Sequence, residues 1–195
     1  MKQYVIKKFE GIWENIEKGL ICEYPWGGDY RPEAYFKAVH TNDEIIIRLY
    51  CKESSPKAVY SNYMDPVYED SCIEFFACYS KGGYINCEVN SKGASLVAYG
   101  PDRYERTPLK DVCGELPVIT ASRDGEFWYA EIKMPYKIIE KIYGKTEISS
   151  GYEFFGNAYK CGDGCEVIHY GMWNPAECEN PDFHRPEYFG KFIIE

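Results

Sequence analysis

Apolar and polar positions alternate with a period of two through most of the chain, as expected of strands with one face turned to a core. In Ile45-Ile46-Ile47-Arg48-Leu49-Tyr50-Cys51 this sets Ile45, Ile47, Leu49 and Cys51 on one face and Ile46, Arg48 and Tyr50 on the other. Cys72 to Tyr79 gathers Ile73, Phe75, Ala77 and Tyr79, and leaves Glu74 on the opposite face among Cys72, Phe76 and Cys78. A carboxylate in that company requires a partner, because desolvating an unpaired charge is expensive. The turn Lys81-Gly82-Gly83 then leads into a strand with Ile85, Cys87 and Val89 inward and Tyr84, Asn86, Glu88 and Asn90 outward. Ser95 to Tyr99 reads as its hairpin return, broken by Gly100-Pro101-Asp102. In Phe127 to Met134 the inward set is Trp128, Ala130, Ile132 and Met134, and Pro135 ends the strand.

Further strands are expected at Tyr152 to Lys160 and Phe189 to Ile194. Helical spacing appears only in Tyr136 to Tyr143, with Ile138, Ile139 and Ile142 on one side and Gly144 as the stop. Many short alternating strands and almost no helix predict an all-β fold, an antiparallel β-sandwich of jelly-roll or immunoglobulin-like type with one short helix. No repeat, low-complexity tract or linker interrupts the pattern, so residues 1–195 read as a single domain.

Composition narrows the function classes. The 31 acidic residues outnumber the 22 basic ones, and a net charge of −9 sets most of the surface against phosphate backbones and anionic membranes. Neither nucleic acid nor a membrane is expected as partner. No segment approaches the length of a membrane span, and Met1 to Glu10 carries no apolar leader, so a cytoplasmic location is expected. The nine cysteines form an odd set scattered through strand-like runs, which reads as reduced thiols acting as small apolar groups. Aromatic residues are in surplus, with 19 Tyr, 10 Phe and 4 Trp. Some of these rings should reach the surface, where a flat apolar face with a polar tip suits sugar stacking or protein contacts.

Three stretches taken together resemble the carbohydrate-binding module family 9-like domains: Val67-Tyr68-Glu69-Asp70-Ser71-Cys72-Ile73-Glu74-Phe75-Phe76, then Tyr84 to Asn90, then Phe183-His184-Arg185-Pro186-Glu187-Tyr188-Phe189-Gly190. The likeness runs from Tyr35 to Ile194, since the strands of Leu49, of Trp128 and of the closing Phe189-Gly190 also fall in family order. It implies a non-catalytic β-sandwich in which two aromatic side chains clasp a mono- or oligosaccharide at a chain end, with polar groups on its hydroxyls. By position, Tyr68 and Phe183 take the places of the two aromatics, which are tryptophans in the family. Glu74 matches the acidic hydrogen-bonding residue, and Asn180 and Asn157 match its amides. Glu88 stands where xylanase modules of the family carry an arginine; an acceptor-only carboxylate cannot make the same contacts. Either the ligand differs, or Arg103, Arg106 or Arg185 supplies the donors.

A pyranose has an apolar face and a fringe of hydroxyls, so its site needs a ring for the one and planar polar groups for the other. Tyr68, Glu74, Asn86, Glu88, Asn157, Trp173, Asn180 and Phe183 form the candidate set. Structural roles compete with it: Glu74 paired to Arg48, Tyr68 and Phe183 capping the sandwich edge, Trp173 anchoring its loop, and Asn86 and Asn90 simply solvated. Cys161, Cys165 and His169 invite a zinc reading, with Cys178 or His184 as a fourth ligand, but the spacing matches no common structural site, and neither metal nor cofactor is expected. Three other functions stay open, one of them a protein-interaction module that uses the tyrosine-rich surface. Met64, Met134 or Met172 with His169 would be axial ligands of a haem-binding sandwich, and Glu74 with Glu88 would be the carboxylate pair of a glycoside hydrolase. A binding domain without a leader fits a cytosolic role with small imported saccharides, beside a glycoside hydrolase encoded separately.

Overall fold

The computed structural model describes residues 1–195. Five strands come first: β1 (Gln3–Lys8), β2 (Gly19–Ile21), β3 (Glu23–Gly27), β4 (Ala34–His40) and β5 (Glu44–Lys52). After a 3-10 turn at Val67–Glu69 run β6 (Cys72–Cys78), β7 (Tyr84–Asn90), β8 (Ser95–Gly100) and the two-residue β9 (Thr107–Pro108), closed by helix α1 (Leu109–Cys113). Then follow β10 (Val118–Asp124), β11 (Phe127–Pro135), helix α2 (Tyr136–Tyr143), β12 (Glu153–Gly162), β13 (His169–Met172) and β14 (Gly190–Ile194).

The main hydrogen-bonded path is β10-β11-β5-β4-β1-β14-β12-β6-β7-β8-β9, and it curls until its two halves face each other. β1 is the joint. Its first residues, Gln3 to Ile6, pair in parallel with β14, and its last two, Lys7 and Lys8, pair in parallel with β4. Between the halves lie the inward faces expected from alternation: Ile45, Ile47, Leu49 and Cys51 of β5, Trp128, Ala130, Ile132 and Met134 of β11, Ile73, Phe75 and Ala77 of β6, and Ile85, Cys87 and Val89 of β7, all buried. Phe36 of β4 crosses the gap to Phe75 and Phe192, with ring centroids 6.5 and 5.7 Å away. Removing one such ring leaves a cavity that costs about 3–5 kcal/mol.

Two details differ from the sequence expectation. The sheet is mixed rather than antiparallel, because β1 runs alongside both β4 and β14 in the same direction. Alternation within a strand carries no information about the direction of its neighbour. A second helix, α1, is present as well; its five residues are too few for a helical period to show.

The outer face of β6 and β7 also departs from expectation, since Tyr84, Asn86, Glu88 and Asn90 are buried rather than solvated. Loops from both ends of the chain fold over this face and enclose a second apolar cluster that includes Trp26, Val67, Phe76, Tyr84, Tyr159 and Phe183. Asp70, fully buried, pins one of these loops by accepting from the backbone N–H of Val59 (2.9 Å) and Tyr60 (3.1 Å). Asn90 completes the fastening, donating through Nδ2 to the carboxylate of Asp70 and to the carbonyl of Tyr60, both at 2.9 Å.

Candidate functional site

Beneath these loops the outer face of β6 and β7 is left partly open as a cleft of about 350 Å³. This lies at the small end of the roughly 300–1,000 Å³ usual for small-molecule sites. Tyr68, Glu74, Asn86, Glu88 and Phe183 all line it, although they come from the Val67–Glu69 turn, two strands and a loop more than a hundred residues away. Arg103, Arg106, Asp163, Tyr170, Asp182 and His184 contribute the rest of its polar and aromatic lining.

The floor is acidic. Glu74 and Glu88 stand directly opposite each other in the β6–β7 register, at 2% and 4% exposure. Glu88 accepts from Asn86 Nδ2 through Oε1 at 2.9 Å, while its Oε2 has no partner. The thiols of Cys161 and Cys72 stand beside the Glu74 carboxyl but donate to the carbonyls of Tyr68 (3.5 Å) and Ile73 (3.8 Å). Burial, and then the charge of Glu88, raise the Glu74 carboxyl well above the ordinary range. Burial pushes Glu88 up to about 7 against the opposing pull of Asn86, Arg106 and Arg103. The pair therefore holds a proton at neutral pH.

Arg106 closes one end. Its guanidinium lies 4.2 Å over the Tyr84 ring and donates to the carbonyls of Gly100 (2.8 Å), Tyr84 (3.0 Å) and Ala98 (3.0 Å) and to Asn86 Oδ1, leaving Nε unpartnered. His184 is pulled down to about 3 by burial and by the two arginines, so it is neutral, and its Nδ1 is hydrogen-bonded to the Tyr84 hydroxyl at 2.7 Å. Phe183 is held rigidly: its ring stacks on Tyr159 at 4.1 Å and its carbonyl accepts from the Tyr159 hydroxyl. Tyr68 is 39% exposed and forms the freer wall. At the rim Met64 adopts φ +67°, a left-handed conformation that costs a non-glycine residue about 1–2 kcal/mol and tends to occur at ligand clamps.

Three members of the candidate set lie elsewhere. Asn157 is fully buried, and its amide bonds both the N–H (2.9 Å) and the carbonyl (2.8 Å) of Asn174, so it clamps β12 to the chain beyond β13. Trp173 packs in the main core against Phe36 and Phe192, as loop anchoring requires. It also explains the closing glycine, since a Cβ on Gly190 would stand 2.3 Å from the Trp173 ring. Asn180 is exposed and does not line the cleft.

The competing partners resolve as well. Arg48 pairs with Glu131 of β11 at 2.5 Å and not with Glu74. Arg185 turns to Glu187, so of the three arginines considered as donors only Arg103 and Arg106 reach the cleft. No three His, Cys, Asp or Glu side chains converge as a metal site. Both nitrogens of His169 are engaged, one by buried Lys160 Nζ at 2.8 Å and the other by the Val167 carbonyl at 2.7 Å, which removes it as a zinc or haem ligand. Met134 lies in the main core and Met172 in the second cluster, away from any open space. The sequence reading missed Asp163, Tyr170 and Asp182; Asp182 and His184 flank Phe183, and that adjacency was the one available signal.

The model of carbohydrate-binding family 9 matches residues 12–194. A provisionally assigned carbohydrate-binding protein from Bacteroides uniformis superposes with a TM-score of 0.83 at 28% identity, over 100% of this chain and 99% of the other. A family 9 carbohydrate-binding module from Caldicellulosiruptor kristjanssonii superposes with a TM-score of 0.70 in two structures. The one with cellotriose is 9% identical and covers 100% and 94% of the two chains; the one with glucose is 10% identical and covers 100% and 96%. At that identity the likeness is one of fold. No curated protein matches.

Proposed function

Since the chain belongs to carbohydrate-binding family 9, we propose that it binds a mono- or oligosaccharide, without transforming it, in the cleft over β6 and β7. One observation carries the reading: Tyr68, Glu74 and Phe183, distant in sequence, converge on a single opening with the room of one or two sugar rings. Tyr68 and Phe183 supply apolar faces, Glu74 and Glu88 supply acceptors, and Arg103 supplies donors for hydroxyls. The glucose and cellotriose bound by the Caldicellulosiruptor module give the first ligands to try.

Binding is favoured over hydrolysis by the placement of the carboxyls. A glycosidase needs its acid and its second carboxylate on either side of the scissile bond. Glu74 and Glu88 instead project side by side from directly opposed positions of one sheet face. The raised Glu88 carboxyl then follows from burial and needs no catalytic role.

Calorimetric titration with a panel of neutral and amino monosaccharides and short oligosaccharides tests the reading. At least one saccharide is expected to bind saturably and to be returned unchanged. Tyr68→Ala, exposed enough to leave the fold intact, should weaken it by roughly tenfold. Absence of binding across the panel, or an unaltered affinity in a folded Tyr68→Ala variant, would overturn it.

A further inference from the structure

Two side chains at the bottom of the cleft have fewer partners than their burial demands. Glu88 Oε2 has none, and the thiols beside Glu74 are weak donors already turned to the carbonyls of Ile73 and Tyr68. The neighbouring cations do not fill the deficit. The terminal nitrogens of Arg106 are spent on four backbone carbonyls and on Asn86, and Arg103 points to Asp182 at 3.7 Å. Both residues line the cleft by which a ligand would come.

We propose that the cleft is selective for a saccharide carrying a protonated primary amine, with its ammonium group seated between Glu74 and Glu88. The inference rests on the saccharide reading and deepens it. Directly opposed residues on antiparallel strands have β-carbons about 4.5–5.5 Å apart, so one ammonium reaches both carboxyls at roughly 2.7–2.9 Å. It brings three donors and a positive charge, which satisfies the orphaned Oε2 and relieves the repulsion between the two acids. A hydroxyl in the same place brings one donor and no charge, and hydrogen bonds to a charged partner are about twice as strong as neutral ones.

The probes are glucose, its 2-amino, 3-amino and 6-amino forms, and the N-acetyl derivative of whichever amine binds best, titrated into the whole chain at neutral pH. At least one amino form should bind roughly tenfold more tightly than glucose. N-acetylation, which removes the charge and keeps the ring, should cancel that advantage, and in a folded Glu88→Gln variant the ratio of amine to glucose affinity should fall to about threefold or less. If glucose binds as tightly as every amino form, or the N-acetyl sugar keeps the advantage, ammonium selectivity is wrong while the saccharide reading survives. If no sugar in the set binds, ammonium selectivity falls, and the saccharide reading falls with it only when the wider panel is also blank.

Discussion

At the scale of single residues, the floor of the cleft is where sequence and structure meet most informatively. Alternation marked Glu74 as a carboxylate in apolar company and in need of a partner. The neighbour is neither Arg48 nor another cation but a second buried acid, Glu88. Which acid faces which depends on the pairing of β6 with β7, and a register is not written in either strand alone. A carboxyl raised from 4.5 to about 7 favours the folded state only while protonated, so its contribution is present below about 4.5 and lost as pH rises through about 7. His169 and His184, held neutral by burial, act in the opposite sense: their contribution is present above the ordinary 6.5 and is lost as pH falls towards about 4 and about 3. The difference between Glu88→Gln and wild type isolates the acid. The variant is expected to gain in relative stability from about pH 5 to about pH 8, by an amount on the order of 2 kcal/mol, measured by urea unfolding across that range. A difference that stays constant with pH would show that Glu88 does not titrate there.

At the scale of elements, the strands legible in the sequence included those with one buried and one more open face, such as β11 and β14, together with α2 and its stop at Gly144. The ones that escaped did so for physical reasons. β4 is buried on both faces and shows no alternation, β10 is an edge strand exposed along most of its length, and β2 has three residues. Asn157 belongs here too. Its position along β12 invited comparison with a ligand-binding amide, but its partner is Asn174, contributed by a loop whose return to β12 no local pattern reveals. Asn157→Ala should therefore cost about 1–3 kcal/mol in urea unfolding, because it strands a buried N–H and a buried carbonyl, and should change sugar affinity by less than about twofold. A loss of affinity with unchanged stability would return Asn157 to the site.

For the whole molecule, the feature that alternation could not show is the layer of loops over β6 and β7. It converts an outer sheet face into a second core with an opening, and Tyr68, Phe183, Asp163 and His184 are brought together only by that layer. The surplus of aromatic residues is likewise not all displayed for ligands. Tyr35, Tyr50 and Tyr129 stack on one another on the outer face of the other half of the sheet, with centroids 4.7 and 5.3 Å apart, and Arg48 lies over Tyr129 and Trp13. Two aromatic surfaces thus compete for the role of sugar platform, and only the one over β6 and β7 has a cleft with unsatisfied polar groups beside its rings. A backbone-amide NMR titration with the tightest-binding saccharide distinguishes them directly. Saturable shifts are expected at 67–69, along β6 and β7, and at 182–184; shifts centred on Tyr35, Tyr50 and Tyr129, or none at all, would contradict a saccharide site on the β6–β7 face.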